Sequence, residues 1–362
     1  MISTQRTEID DELLVALQKG LPITRHPFAA LGKKLEISED EVITGVRSLF
    51  NDGRARRLGA VFDLRRLGYE SSLCAVNVPP DSVPVIVSQL VRHPGISHCY
   101  ERGWPSDLNP HAFAGKPEPE TPNLWFTLAG RKEMFKTELD RLRRRIEPHE
   151  IWSLPSVNRF KVSVIFDPRR TQINKISEVP GQWRHAARQP NAEEPGNLPV
   201  FTPEEKQLIR HLQGNLPLKK AFFDSIAREV GCTPKQLIKR LKQWKETGVL
   251  RRFGLILHHR KAGFKANGMC MWYVPAPALA KAGRTLTAFP EVTHCYERRV
   301  VPGVPFNLYA MIHGAEWEAT ANMFAQLSRA AELRNGRILF SLREFKKTSP
   351  QYFCEDTSPQ LF

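Results

Sequence analysis

A histidine, a tyrosine and an arginine recur at alternate positions in two identical blocks of the chain. His98-Cys99-Tyr100-Glu101-Arg102 returns 196 residues later as His294-Cys295-Tyr296-Glu297-Arg298. Alternate residues of a strand point to the same face, so each block would present an imidazole, a phenol and a guanidinium together. An imidazole can donate a proton or ligate iron, and a guanidinium suits a carboxylate. The expected catalytic residues are therefore His98, Tyr100, His294 and Tyr296, and the expected substrate-binding residues are Arg102 and Arg298.

The alternative for each histidine is a structural role at an interface between sheets. A structural role rarely requires the same polar pair twice, so the repetition favours chemistry.

A second repeated block carries adjacent arginines. Arg56-Arg57-Leu58-Gly59 returns 195 residues later as Arg251-Arg252-Phe253-Gly254. We expect these four arginines to bind substrate carboxylates in a bidentate manner. The alternatives are contacts to DNA phosphates or simple exposure to solvent.

His258 and His259 follow the second arginine block, where the first half has Asp63 and Leu64. Neighbouring strand residues point to opposite faces, so only one of the two histidines can enter a site. We expect that one to be a proton donor or an axial iron ligand, with a surface pair as the alternative. On this basis the second half is expected to hold the more complete catalytic set.

Two further blocks show that the whole chain is duplicated. Asn123-Leu124-Trp125 returns as Asn307-Leu308-Tyr309, and Phe160-Lys161 returns as Phe345-Lys346, with a Pro-rich insertion in the first half. In each half, three helical segments and a strand precede a strand-helix-strand-strand-helix-strand order. This predicts an α+β fold, a tandem repeat of a winged helix-turn-helix and a ferredoxin-like βαββαβ domain. The predicted boundaries are 1–66 and 67–178 for the first pair of domains, 179–199 for a linker, 200–262 and 263–350 for the second pair, and 351–362 for a tail.

Composition indicates a cytoplasmic protein that binds an anion. The six cysteines include no CxxC pair, the N-terminal region is acidic, and no uninterrupted apolar run is long enough to span a membrane. The net charge is +15, and most of the excess lies after residue 199. Nucleic acid and a polycarboxylate are both compatible with this charge.

The combination of these blocks with Gly68-Tyr69 and Gly263-Phe264 resembles the siroheme decarboxylase family, whose members are Lrp/AsnC-like proteins. The resemblance covers both halves and implies a fused two-subunit form of the heme d1 biosynthesis type. It implies removal of the C12 and C18 acetate carboxylates of siroheme, giving 12,18-didecarboxysiroheme. The iron tetrapyrrole would be the substrate, with a histidine as a possible ligand to its iron and no metal site made by the protein alone. No additional cofactor is expected, since the macrocycle itself accepts electrons.

The resemblance also implies an internal pseudo-dimer, with a further homodimer possible. The alternative function is an Lrp/AsnC-type transcriptional regulator. The third helix of the first half opens with Ser38-Glu39-Asp40-Glu41, which would repel phosphates. The third helix of the second half is basic, with Lys235, Lys239, Arg240, Lys242 and Lys245. Two such unlike helices argue against a palindromic operator, so no nucleic-acid partner is expected.

Overall fold

The computed structural model describes residues 2–118, 120–162, 198–257 and 266–355. The linker predicted at 179–199 lies outside this part except for its last two residues. The tail predicted at 351–362 is described as far as residue 355.

Each half begins with three helices and one strand. Capping boxes begin several of these helices, and apolar stripes bury one face of each. In the first half the elements are α1 (Ile2–Lys19), α2 (Pro27–Leu35), α3 (Glu39–Asn51) and β1 (Ala55–Phe62). In the second half they are α6 (Pro203–Leu212), α7 (Phe222–Glu229), α8 (Pro234–Glu246) and β6 (Leu250–Leu257).

The strand after the third helix pairs across the two halves. β1 and β6 form an antiparallel ribbon, with Leu58 opposite Leu255 and Gly59 opposite Gly254. The sequence predicted a separate wing in each half, whereas each of these strands uses the other to satisfy its backbone groups. The apolar side chains of both helical domains and of this ribbon form one hydrophobic cluster.

The ferredoxin-like order of each half follows the ribbon. The first half contains β2 (Tyr69–Val76), α4 (Val83–Leu90), β3 (Ile96–Gly103), β4 (Leu124–Arg131), α5 (Phe135–Arg145) and β5 (Trp152–Val162). The second contains β7 (Ala266–Trp272), α9 (Ala276–Thr287), β8 (Val292–Arg298), β9 (Leu308–Gly314), α10 (Trp317–Ala330) and β10 (Arg337–Lys347). The predicted tandem α+β fold is confirmed.

The eight strands close into a barrel in the order β10-β3-β4-β2-β5-β8-β9-β7. The two seams are the pairs β10 with β3 and β5 with β8, each of which joins one half to the other. One apolar cluster packs against α4 and α5, and another against α9 and α10. The helices thus cover the outside of the barrel, and the inner faces of both sheets surround a common space.

The Pro-rich insertion crosses from the first half to the second. Leu108 is buried in the apolar cluster of the second half, and the indole N–H of Trp104 donates to its carbonyl at 2.7 Å. The backbone N–H of Ile338 donates to the carbonyl of Gly115 at 2.8 Å. The insertion therefore adds a connection from the first half to the second.

The repeated Arg-Arg-x-Gly block docks each half onto the first helix of the other. The Arg57 guanidinium donates to the Gln213 carbonyl and to the Gly214 carbonyl at 3.4 Å, just beyond the end of α6. A Cβ at Gly59 would lie 2.5 Å from the Gly214 carbonyl oxygen, so only glycine allows this approach. The second half repeats the arrangement, since the Arg252 guanidinium donates to the Gln18 carbonyl near the end of α1.

Arg57→Met and Arg252→Met should each lower the free energy of unfolding by about 1–3 kcal/mol, because half-buried carbonyls lose charged donors. Urea unfolding followed by circular dichroism measures the change. Arg284→Met, on the exposed face of α9, is the control and should shift stability by no more than about 0.5 kcal/mol. Equal effects for all three variants would contradict the docking role.

Candidate active site

A cavity of about 740 Å³ lies within the barrel, and both halves line it. Its wall includes the histidine, tyrosine and arginine of both repeated blocks: His98, Tyr100, Arg102, His294, Tyr296 and Arg298. These residues lie on the seam strands β3 and β8. The two blocks therefore contribute to one site rather than to two separate sites.

In each block the three side chains stack in the same way. The rings of His98 and Tyr100 have centroids 6.2 Å apart, and the Arg102 guanidinium lies 5.0 Å from the Tyr100 centroid. The rings of His294 and Tyr296 are 6.0 Å apart, and the Arg298 guanidinium lies 5.0 Å from the Tyr296 centroid. The alternation of the strand places the three groups on one face, and cation–π contacts hold the arginines there. We call these two sets the His98 triad and the His294 triad.

A hydroxyl next to each histidine orients its ring. Ser97 Oγ lies 2.9 Å from His98 Nδ1, and Thr293 Oγ1 lies 3.1 Å from His294 Nδ1. The Thr293 hydroxyl also donates to the Met311 carbonyl at 3.3 Å. Because that hydroxyl has a single proton, it accepts from Nδ1–H of His294, which leaves Nε2 free to take up a proton or to ligate a metal.

The cavity wall is strongly cationic. Among the described residues that line it, the one carboxylate is Glu70, whereas the basic side chains are Arg65, Arg102, Lys132, Arg159, Arg251, Arg298, Arg299 and Lys347. Among the described residues, Nε and Nη1 of the buried Arg102 have no hydrogen-bond partner, and the same holds for Nε of Arg298. Burial without a carboxylate partner lowers the pKa of Arg102 to about 10. A buried cation with unused donors is costly, so this geometry favours an anionic ligand.

The imidazoles of the cavity are neutral at neutral pH. Burial lowers the pKa of His98 to about 3, and Arg56 and Lys347 lower it further. Burial lowers the pKa of His294 to about 4, with Arg251 and Arg298 acting in the same direction. An anion brought into the cavity would oppose these cations and favour protonation of the histidines.

Comparison with known proteins identifies the family. The chain matches the model of the siroheme decarboxylase NirDL-like HTH domain at residues 10–56 and 205–251, and that of the AsnC-like ligand binding domain at 66–161 and 261–346. It is 32% identical to a siroheme decarboxylase of Hydrogenobacter thermophilus, over 96% of this chain and 95% of that relative. The chain belongs to the siroheme decarboxylase family.

Other relatives within the siroheme decarboxylase family show both the fused and the separate forms. The NirDL subunit of Paracoccus pantotrophus is 30% identical over 94% of this chain and 96% of its own length. A beta subunit from Methanosarcina barkeri is 37% identical over 39% of this chain and 93% of its own length. The crystal structure of siroheme decarboxylase NirDL in complex with an iron-uroporphyrin III analogue has a TM-score of 0.68 and 28% identity, and covers 97% of both chains.

The structure separates the two arginines of each adjacent pair in this family member. Arg251 lines the cavity and lies 3.2 Å from Asp63, while Arg56 donates to Ser349 at 3.2 Å and is close enough to lower the pKa of His98. Arg57 and Arg252 point instead to the helix ends described above. We therefore keep Arg56 and Arg251 in the candidate site and leave the other two out. His258 and His259 lie outside the described residues.

The cavity also contains residues that the sequence analysis did not select. His313 on β9 and Asn267 on β7 lie opposite each other, and Lys347 on β10 lies opposite His98. Burial lowers the pKa of His313 to about 3, and His294, Lys347 and Arg102 add to the effect. The sequence signal that could have identified His313 is a difference between the halves, since His313 aligns with Ala129 in the first half.

The segment after β10 lines part of the cavity with Pro350 and Tyr352. The Gln213 side chain binds the backbone of Tyr352 on both sides, accepting from its N–H at 2.9 Å and donating to its carbonyl at 3.2 Å. The Phe353 N–H donates to the Tyr69 hydroxyl at 2.6 Å. The predicted tail therefore contributes to the site.

Within the described ranges, no group of three or more histidine, cysteine, aspartate or glutamate side chains could hold a metal ion. No helix in that part of the chain is long and apolar enough to cross a membrane.

The depressed pKa of His313 predicts a pH-dependent contribution to stability. Below the ordinary histidine pKa of about 6.5, the unfolded chain binds a proton that the folded chain excludes, so stability falls as the pH drops toward about 3. His313→Gln removes this pH-dependent contribution to the free energy of unfolding, which is at most about 1.4 kcal/mol per pH unit. Urea unfolding of both proteins at a series of pH values should show the wild type losing stability faster on acidification. Parallel curves would contradict the pKa assignment.

Proposed function

We propose that this chain is a carboxy-lyase that removes the C12 and C18 acetate carboxylates of siroheme, giving 12,18-didecarboxysiroheme for heme d1 or another heme route. Its similarity to siroheme decarboxylases over nearly the whole chain supports the substrate class. The observation that carries the proposal is the cavity, where buried guanidiniums without carboxylate partners surround oriented imidazoles.

The reaction requires one bond to break and one proton to arrive for each acetate. Cleavage of the bond between the methylene and the carboxylate releases CO₂ and leaves an electron pair on the methylene carbon. The conjugated macrocycle delocalises that pair, and a proton then converts the methylene to a methyl group. The step is redox-neutral, so the proposal requires no cofactor besides the substrate's own iron macrocycle.

The cavity wall can supply both charge and protons. Siroheme carries eight carboxylates, and the basic side chains of the wall match an anion of that kind. When these carboxylates enter, they oppose the cations that hold the histidine pKa values low, so an imidazole can be protonated next to the substrate. In this proposal His98 and His294 donate the protons, and Tyr100 and Tyr296 keep the imidazoles and guanidiniums in place.

The regulator hypothesis has less support. β1 and β6 pair with each other, so neither strand is a free wing for a DNA groove. Asp40 at the start of α3 pairs with Lys220 at 2.8 Å, whereas α8 exposes Lys235 and Lys239. Since the two third helices differ in charge, they could not contact matching half-sites, and we do not propose DNA binding.

Anaerobic incubation of the purified protein with siroheme should yield products that have lost one and then two molecules of CO₂. Liquid chromatography with mass spectrometry follows the tetrapyrrole, and the absorbance spectrum reports its binding. Siroheme that binds and stays intact would overturn the proposal. Tight, salt-sensitive binding to the gene's own upstream DNA would favour the regulator instead.

Arg102→Met tests whether the buried cation serves the ligand rather than the fold. Without a carboxylate partner, the guanidinium is costly, so the variant should keep or slightly raise the free energy of unfolding. Its affinity for iron-uroporphyrin III should fall by about tenfold or more, because the ligand loses a charged donor. Absorbance titration and urea unfolding measure the two effects, with Arg144→Met on the exposed face of α5 as the control. A strongly destabilised variant with unchanged affinity would contradict this role.

A further inference from the structure

The two triads are related by an approximate two-fold axis of the barrel. Ser341 on β10 lies opposite Arg102, and Ser156 on β5 lies opposite Arg298. The histidine and tyrosine ring centroids are 6.2 Å apart in one triad and 6.0 Å apart in the other, and the arginine lies 5.0 Å from the tyrosine centroid in both. Two equal sets of proton donor and cation therefore face one cavity.

The cavity has room for one macrocycle. Its volume of about 740 Å³ falls within the range of roughly 300–1,000 Å³ that is usual for a site holding a single ligand. Both triads would consequently act on the same bound molecule.

The substrate has a matching local symmetry. In a type III tetrapyrrole the substituent order is reversed on ring D, so the propionates of rings C and D are adjacent and the C12 and C18 acetates flank them. A two-fold axis in the macrocycle plane, passing between rings C and D, exchanges these two acetates. The duplicated protein site and the duplicated chemical target thus share one symmetry.

We infer that one siroheme binds with this axis along the barrel's approximate two-fold axis, so that the His98 triad acts on one acetate and the His294 triad acts on the other. The inference rests on the siroheme decarboxylation proposed above. Each histidine donates the proton that replaces the carboxylate on its own side, and the electron pair of the broken bond forms the new C–H bond. Both acetates are then lost without release and turning of the macrocycle.

The match is not perfect, because the second half adds polar groups to the wall. His313 and Asn267 occupy positions where the first half has Ala129 and Ser71. Of these, Asn267 has a buried side-chain oxygen without a partner among the described residues. The two acetates therefore meet unequal surroundings, and one should be lost faster than the other in the unaltered protein.

The test is the identity of the product that each single variant accumulates. His98→Gln and His294→Gln, each incubated with siroheme under single-turnover conditions, should both stop after one CO₂ is lost. The two variants should yield different isomers, one retaining the C12 acetate and the other the C18 acetate, which nuclear magnetic resonance of the purified products distinguishes. The double variant should release no CO₂, and Arg144→Met should release two.

Isomer identity is a readout that a merely structural role of the histidines would not change. The same isomer from both variants would overturn the inference, and so would loss of both steps in each variant while siroheme still binds. If either histidine variant fails to bind siroheme, Tyr100→Leu and Tyr296→Leu give the same comparison, since each removes the ring that holds one imidazole and should slow the loss of a different acetate. A wild-type protein that releases no CO₂ would overturn the proposed function itself, which separates that failure from a failure of the assignment.

Discussion

The pairing of strands across the two seams is the constraint on which the active site depends. β3 and β8 carry the triads, and each is completed by the last strand of the opposite half. Without these pairings each sheet would keep an open edge and an exposed inner face. Closing the barrel satisfies the edges and also brings two distant parts of the chain to a common cavity, so the same strand pairings complete the fold and assemble the site.

The closed barrel imposes an electrostatic cost that the ligand is suited to relieve. Arg102 is 6% exposed and has unused donors, and the imidazole of His294 is held neutral by its burial and by adjacent cations. The protein with this cavity empty is less stable than it would be if apolar residues lined a cavity of the same shape. In the proposed function, a polycarboxylate would supply the missing negative charge and shift the histidines toward the protonated form, so that binding would itself prepare the proton donors. The folded protein is therefore less stable than it could be, because the cations that would bind the ligand are buried without partners.

The sequence predicted the tandem fold and both triads because a strand has a period of two and the blocks repeat in order. The expectation that all four adjacent arginines bind substrate did not apply the same period, which allows only one arginine of each pair to face the site. The period does not say which one, since that depends on the docking of Arg57 and Arg252 against helices of the opposite half. His313 was missed for a different reason. It is not part of a repeated block, because the first half has Ala129 at the equivalent position. The role of the C-terminal segment depends on tertiary contacts with Gln213 and leaves no local signal.

The fusion of the two halves explains why the site can be nearly symmetric and still unequal. In a dimer of identical subunits, any polar residue added to one side of the cavity is added to both, and two related acetates meet the same surroundings. In a single chain, His313 can stand on one side while Ala129 stands on the other. Under the inference drawn above, the shared triads would preserve what both decarboxylations need, and the unshared residues would distinguish one acetate from its counterpart. On that assignment, duplication would supply the chemistry twice, and divergence between the halves would allow the two steps to proceed at different rates.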